Sequence, residues 1–181
     1  LDQGFPDPLF DAGMLDRTVE LVALRDFDLA LTQKRTPDWY IYCAAIEAGF
    51  HGFVTRDHSQ ADQIAELFTL SRMRQFAVIT QRKGIDDPVR EWGQLLAYLP
   101  EVKKLMRAER PLIIFLPNPT LSEAKGIERP AARLSRYASE NQLSTPEVRH
   151  EAVSQMRDWA SLTGHDWNRL DALLNLDGRD G

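Results

Sequence analysis

Asp57 ends the run Phe50-His51-Gly52-Phe53-Val54-Thr55-Arg56-Asp57, where a strand-like apolar stretch gives way to polar residues. An acid there lies just past the carboxyl end of a strand, and in open parallel sheets that is the end where ligands bind. Asp38 follows Thr36-Pro37 and falls in the first turn of a predicted helix, a placement that can aim it at the same crevice once the helix packs on the sheet. Asp2 precedes the turn Gln3-Gly4-Phe5-Pro6. If that turn leaves a strand whose upstream part the chain lacks, Asp2 tops a strand as well. Three carboxylates at one crevice repel one another and titrate high unless a cation neutralises them. Oxygen ligands without a Cys/His cluster select a hard ion, Mg²⁺ or Mn²⁺. Such an ion activates water and stabilises the charge that develops on a phosphodiester. Metal-dependent phosphodiester hydrolysis is the chemistry these acids point to; taken alone, Asp38 also reads as an ordinary helix-start acid.

The elements that would position these acids alternate in type. Strand-like apolar runs recur at 19–24, 50–55, 75–80 and 112–116, each followed by a stretch of helical spacing. Helices are predicted over 38–48, closed by Gly49, over 60–70, and over 89–99, with Pro100 ending that helix or starting the next. Strands joined by helices run parallel, because the crossover returns the chain to the same end of the sheet. The expectation is an α/β fold, a three-layer sandwich around a mostly parallel sheet. Pro117-Asn118-Pro119 breaks the rhythm, and helices resume over 128–140, from an N-cap at Thr145 to 162, and over 167–176. The predicted division is a domain over 1–120 and a C-terminal helical extension over 121–181, packed on it or extending from it.

The opening Leu1-Asp2-Gln3-Gly4-Phe5-Pro6 resembles the Asp-Glu-Asn-Leu-Pro signature of PIN-like proteins of the toxin-nuclease type. Thr36-Pro37-Asp38-Trp39 resembles their second acidic segment, and the strand ending in Thr55-Arg56-Asp57 is similar to their Thr-x-Asp, the most specific of the three. The order matches, over residue 1 to about residue 80. The resemblance implies that Asp2, Asp38 and Asp57 bind Mg²⁺ or Mn²⁺, that Thr55 and Ser59 orient a metal-bound water or ligand, and that the protein is a ribonuclease, a hydrolase of RNA. It leaves open a role as a toxin with an antitoxin or other protein partner, and a homo-oligomer. Gln3 stands where the signature often carries a second acid, and Ser59 where some relatives have a further Asp. Asp62 is then either a fourth carboxylate of the metal site or an exposed acid favoured by the helix dipole.

Composition narrows the alternatives. With 181 residues, 43% hydrophobic and 27% charged, the chain is long enough for one well-buried core. No apolar run approaches the roughly 18 residues of a membrane span. Cys43 is the only cysteine, so no internal disulfide forms, and a reducing cytoplasm is expected. The net charge of -5 argues against indiscriminate coating of nucleic acid. Lys103, Lys104, Arg107 and Arg110, and Arg129, Arg133 and Arg136 at helical spacing, are solvated faces or phosphate grips. Asp86-Asp87-Pro88 reads as a turn and cap, Trp39 and Trp92 as core, and His51 and His58 as structural or exposed. Two readings stand beside hydrolysis. One is a receiver-like phospho-acceptor, which wants a lysine directly after the last strand, where Leu116 is followed by Pro-Asn-Pro. The other is a non-catalytic PIN-like interaction module, which Gln3 and Ser59 keep open.

Overall fold

The computed structural model describes residues 19–33, 35–81, 87–107, 110–116 and 127–176; Asp2 and the rest of the opening signature lie outside them. Strands β1 (Gly52–Thr55), β2 (Ala77–Gln81) and β3 (Leu112–Leu116) pair in parallel, and a two-residue β4 (Ile127–Glu128) adds antiparallel to β3, giving the order β1-β2-β3-β4. The parallel register aligns Thr55 with Thr80 and Thr80 with Phe115. Both crossovers are helical, α3 (Ile64–Arg72) and α4 (Pro88–Met106).

The strands alternate as a two-period requires. Phe53, Val78, Ile113 and Phe115 face a core shared with α2 (Asp38–Glu47), α3, α5 (Pro130–Glu140), α6 (Thr145–Thr163) and α7 (Trp167–Leu174). Val54, Ile79, Leu112, Ile114 and Leu116 face Trp92, Leu95 and Val102 of α4. Helices therefore cover both faces of a small parallel sheet, an α/β arrangement of three layers. The helices beyond residue 127 contribute Val148, Ala152, Met156, Ala160, Leu170 and Leu174 to the same core as α2 and α3. Arg72 holds the C-terminal end in place by donating to the carbonyls of Leu174 (3.2 Å) and Asn175 (2.8 Å).

Several expectations need correction. No strand forms over 19–24: the chain is irregular to Ala23 and then makes one helical turn, α1 (Leu24–Phe27). Leu21 packs on the α4 side of the sheet while Leu24 belongs to the opposite core. Among the described residues no strand pairs with this segment, so it has no ladder to join. The predicted helix over 60–70 divides into a 3-10 turn, His58–Asp62, and α3. Pro100 neither ends nor starts a helix but lies exposed inside α4, whose apolar side packs on the sheet both before and after it. Glu128 belongs to β4, and α5 starts at Pro130, whose fixed φ suits a first helical position. The cap of α6 is Ser144, one residue before the expected Thr145, in a capping box with Glu147. Asp87 caps α4, accepting from Val89 N–H at 2.9 Å, as its place before Pro88 suggested. Among the described residues no helix is long and apolar enough to cross a membrane.

Candidate functional site at the carboxyl edge of the sheet

Thr55 is the last residue of β1 and is fully buried. Its Oγ1 accepts the Asp57 N–H at 3.0 Å, which bends the chain off the strand and fixes the Asp57 backbone. The Asp57 carboxylate then caps the 3-10 turn: Oδ1 accepts both the N–H (2.8 Å) and the hydroxyl (2.6 Å) of Ser59. Thr55 and Ser59 thus both grip Asp57. Because both Ser59 bonds fall on Oδ1, Asp57 Oδ2 has no bonding partner among the described residues.

Asp38 opens α2, and α2 leads directly into β1. A helix that ends where a strand begins, and packs along it, runs antiparallel to that strand, so its first turn lies at the strand's carboxyl end. Asp38 and Asp57 therefore share one edge of the sheet. Glu66, in the first turn of α3, joins them there. Glu66 is 4% exposed, because α3 is buried on nearly every side. Burial pushes its carboxyl up to about 6. The charge of Asp57 adds to that rise, while bonds to the Glu66 and Trp39 amides oppose it.

Asp62 takes another direction. Its carboxylate is bonded to Arg133 of α5, which also donates to Glu128 Oε2 at 2.7 Å and lies over the Phe115 ring at 5.2 Å. Arg56, between Thr55 and Asp57, pairs at 2.7 Å with Glu91 of α4, only 1% exposed. The Gln81 side-chain amide donates to the Glu91 carbonyl at 3.1 Å, tying the ends of β1 and β2 to the start of α4. Beneath this edge Thr80 is buried, and its Oγ1 has no partner among the described residues.

Sequence reasoning missed Glu66 and Glu91, and it took Arg133 for a solvated face or a phosphate grip. Glu66 did carry a signal, a lone carboxylate inside Ile64-Ala65-Glu66-Leu67-Phe68. Glu91 and Arg133 carry no local signal of their pairing, since Arg56 and Asp62 lie 35 and 71 residues away from them in the chain. Cys43 is buried in α2, and burial pushes its thiol up to about 12, which leaves it un-ionised and unreactive at neutral pH.

Among the described residues no three His, Cys, Asp or Glu side chains stand close enough together to hold a metal ion. Asp57 and Asp38 supply carboxylate oxygens at the shared edge, the donor chemistry of a hard divalent cation. The third acid of the expected set, Asp2, lies outside the described residues. The chain matches no protein-family model, and no curated protein and no solved structure matches it.

Proposed function

We propose that the chain is a PIN-like, Mg²⁺- or Mn²⁺-dependent endoribonuclease that hydrolyses RNA phosphodiesters, with Asp2, Asp38 and Asp57 as the metal-binding acids. The family likeness rests on the three sequence segments that carry these residues. What supports the chemistry is Asp57: it follows the carboxyl end of a parallel strand, on the edge where α2 begins with Asp38, with one oxygen immobilised by Ser59 and the other without a partner among the described residues. A carboxylate held at one oxygen presents the second in a fixed direction, at little entropic cost to a ligand. A divalent cation bound there would activate water and stabilise charge on the phosphate. Thr55 and Ser59 act one step back, by orienting Asp57. Thr80 and Phe115, both buried, stand in register with Thr55 across the sheet.

The test compares the full chain with Asp57→Asn on single-stranded and structured RNA, with Mn²⁺ and with chelator, alongside thermal melts. Asparagine keeps the size and removes the charge, so cleavage should disappear while folding survives. Millimolar Mn²⁺ should raise the Tm of the wild type and not of the variant, because a ligand that binds only the native state stabilises it. A variant that cleaves as fast as wild type would remove Asp57 from the mechanism. A wild type that neither cleaves nor responds to metal would leave the interaction module as the better reading.

A further inference from the structure

The two faces of the sheet are covered unequally. Helices α2, α3, α5, α6 and α7 pack on one face, and among the described helices α4 covers the other. Because α4 crosses from β2 to β3 and β1 stands at the sheet edge, a trough is left beside β1. It is a cavity of about 550 Å³, walled by Gly52 and Val54 of β1, Ile79 of β2, and Leu95, Leu99 and Val102 of α4. Sites for small molecules span roughly 300–1,000 Å³. Both walls are graded in the same direction. Along the α4 face that lines the cavity, the residues pass from Leu95, fully buried, to half-buried Lys103 and then to Arg107, exposed at the helix end. Along the strand they pass from buried Val54 to exposed His51, just before β1. Gln75, just before β2, donates to the Met106 carbonyl at 2.9 Å and so fixes the end of α4 beside the amino ends of the strands. The inner end of the cavity is therefore apolar. Its mouth carries Lys103, Arg107 and His51 against one acid, Glu20, among the described lining residues. On a chain of net charge -5 that excess of basic residues is a local feature.

We propose that this cavity binds a small amphipathic carboxylate, its apolar body against Val54, Ile79 and Leu95 and its head among Lys103, Arg107 and His51. Removal of the apolar body from water supplies the affinity, and polar groups gathered at one end fix the direction in which the molecule enters. A neutral amphiphile would touch the same walls without the charge-assisted hydrogen bonds that Arg and Lys give to an anion. A cationic one would meet like charge at the mouth. The cavity opens at the amino end of the sheet, whereas Asp38 and Asp57 lie at the carboxyl end, so this site stands independently of the proposed cation site.

The experiment titrates the full chain by calorimetry with decanoate, decanol and decyltrimethylammonium, each below its micelle concentration, and repeats the titrations with Lys103→Gln plus Arg107→Glu and with Leu99→Trp. Decanoate should saturate at one molecule per chain, and decanol should bind about tenfold more weakly for want of the charged hydrogen bonds. Decyltrimethylammonium should bind least. The double variant changes side chains at the mouth and should weaken decanoate about tenfold while leaving decanol unchanged. Leu99→Trp, which fills the cavity, should remove the binding of both. If Leu99→Trp fails to melt cooperatively, the double variant decides: selective loss of decanoate upholds the site, and equal loss of decanoate and decanol, or loss of neither, overturns it. Decanol or decyltrimethylammonium binding as tightly as decanoate to wild type would also overturn the proposal. So would the absence of saturable binding, in which case a mass in sedimentation that doubles with concentration would assign the trough to a second copy of the chain.

Discussion

The two ends of the sheet are built on opposite principles. At the carboxyl end, charges are tied in pairs between elements: Arg56 to Glu91 joins β1 to α4, and Arg133 to Asp62 and Glu128 joins α5 to the turn after Asp57 and to β4. At the amino end lies an apolar cavity of about 550 Å³ between the sheet and α4, lined by Val54, Ile79, Leu95, Leu99, Val102 and Met106, with His51 and Arg107 at its rim. The basic residues Lys103, Lys104 and Arg107 fall at this second end, because α4 runs back along the strands. Gln75, just before β2, donates to the carbonyl of Met106 in its last turn at 2.9 Å. Nineteen residues of helix span about 28 Å, so these cations lie nearly that far from the start of α4 at the acidic edge. Among the described residues Arg56 and Arg133 lie at the edge that carries the acids, and both are engaged with carboxylates. The difference teaches that a positive helix face in this sequence is not by itself a phosphate grip for the candidate site. Topology assigns it to the wrong end.

The largest effect expected is at the paired end. Arg56→Met takes the guanidinium away from the buried Glu91 carboxylate and should cost about 3 kcal/mol in denaturant unfolding, the low end for a broken buried pair because Arg56 is itself partly open to water. Arg56→Met with Glu91→Met should recover most of that loss. A single variant as stable as wild type would show that the pair does not hold the edge together.

Next comes pH. The Glu66 carboxyl is raised from 4.5 to about 6 in the folded protein, so the fold binds its proton more tightly than the unfolded chain does. That contribution is fully present below pH 4.5 and is lost as the pH rises through 6. It amounts to about 2 kcal/mol. The difference in unfolding free energy between wild type and Glu66→Gln should therefore change across this window and be flat above pH 7. A constant difference from pH 4 to 8 would place Glu66 in an ordinary solvated setting.

The amino end responds to shape instead. A Cβ on Gly52 would stand 2.6 Å from the Ala77 carbonyl oxygen, a backbone atom of the neighbouring strand. Gly52→Ala should cost about 1–2 kcal/mol through strand displacement and leave Mn²⁺ affinity unchanged. Lost metal affinity in this variant would mean that the two ends are mechanically coupled. The smallest effect is expected from Lys104→Gln with Arg107→Gln, within about 0.5 kcal/mol in stability and with no change in metal-dependent cleavage. A clear fall in cleavage there would break the separation of the ends and assign α4 to RNA binding.

Much of this was legible in the chain. The Gly49 to Asp57 run announced a strand with an acid beyond it, Thr36-Pro37-Asp38 announced a helix start, and the unbroken apolar run 112–116 announced a strand buried on both faces. These are local matters, because Pro and Gly fix backbone angles and side chains alternate with a period of two or 3.6 residues wherever the chain lies. The pairings were not legible. Glu66 and Glu91 carry the same charge as any helix acid, and only the packing of α3 and α4 decided that one would be buried and the other would meet Arg56. The same holds for Asp62, which the sequence offered as either a ligand or a surface acid and which tertiary structure joined to Arg133. A side chain's type is written in the sequence, but its partner and its solvent are set by segments tens of residues away, and burial and neighbouring charge determine what a carboxylate does.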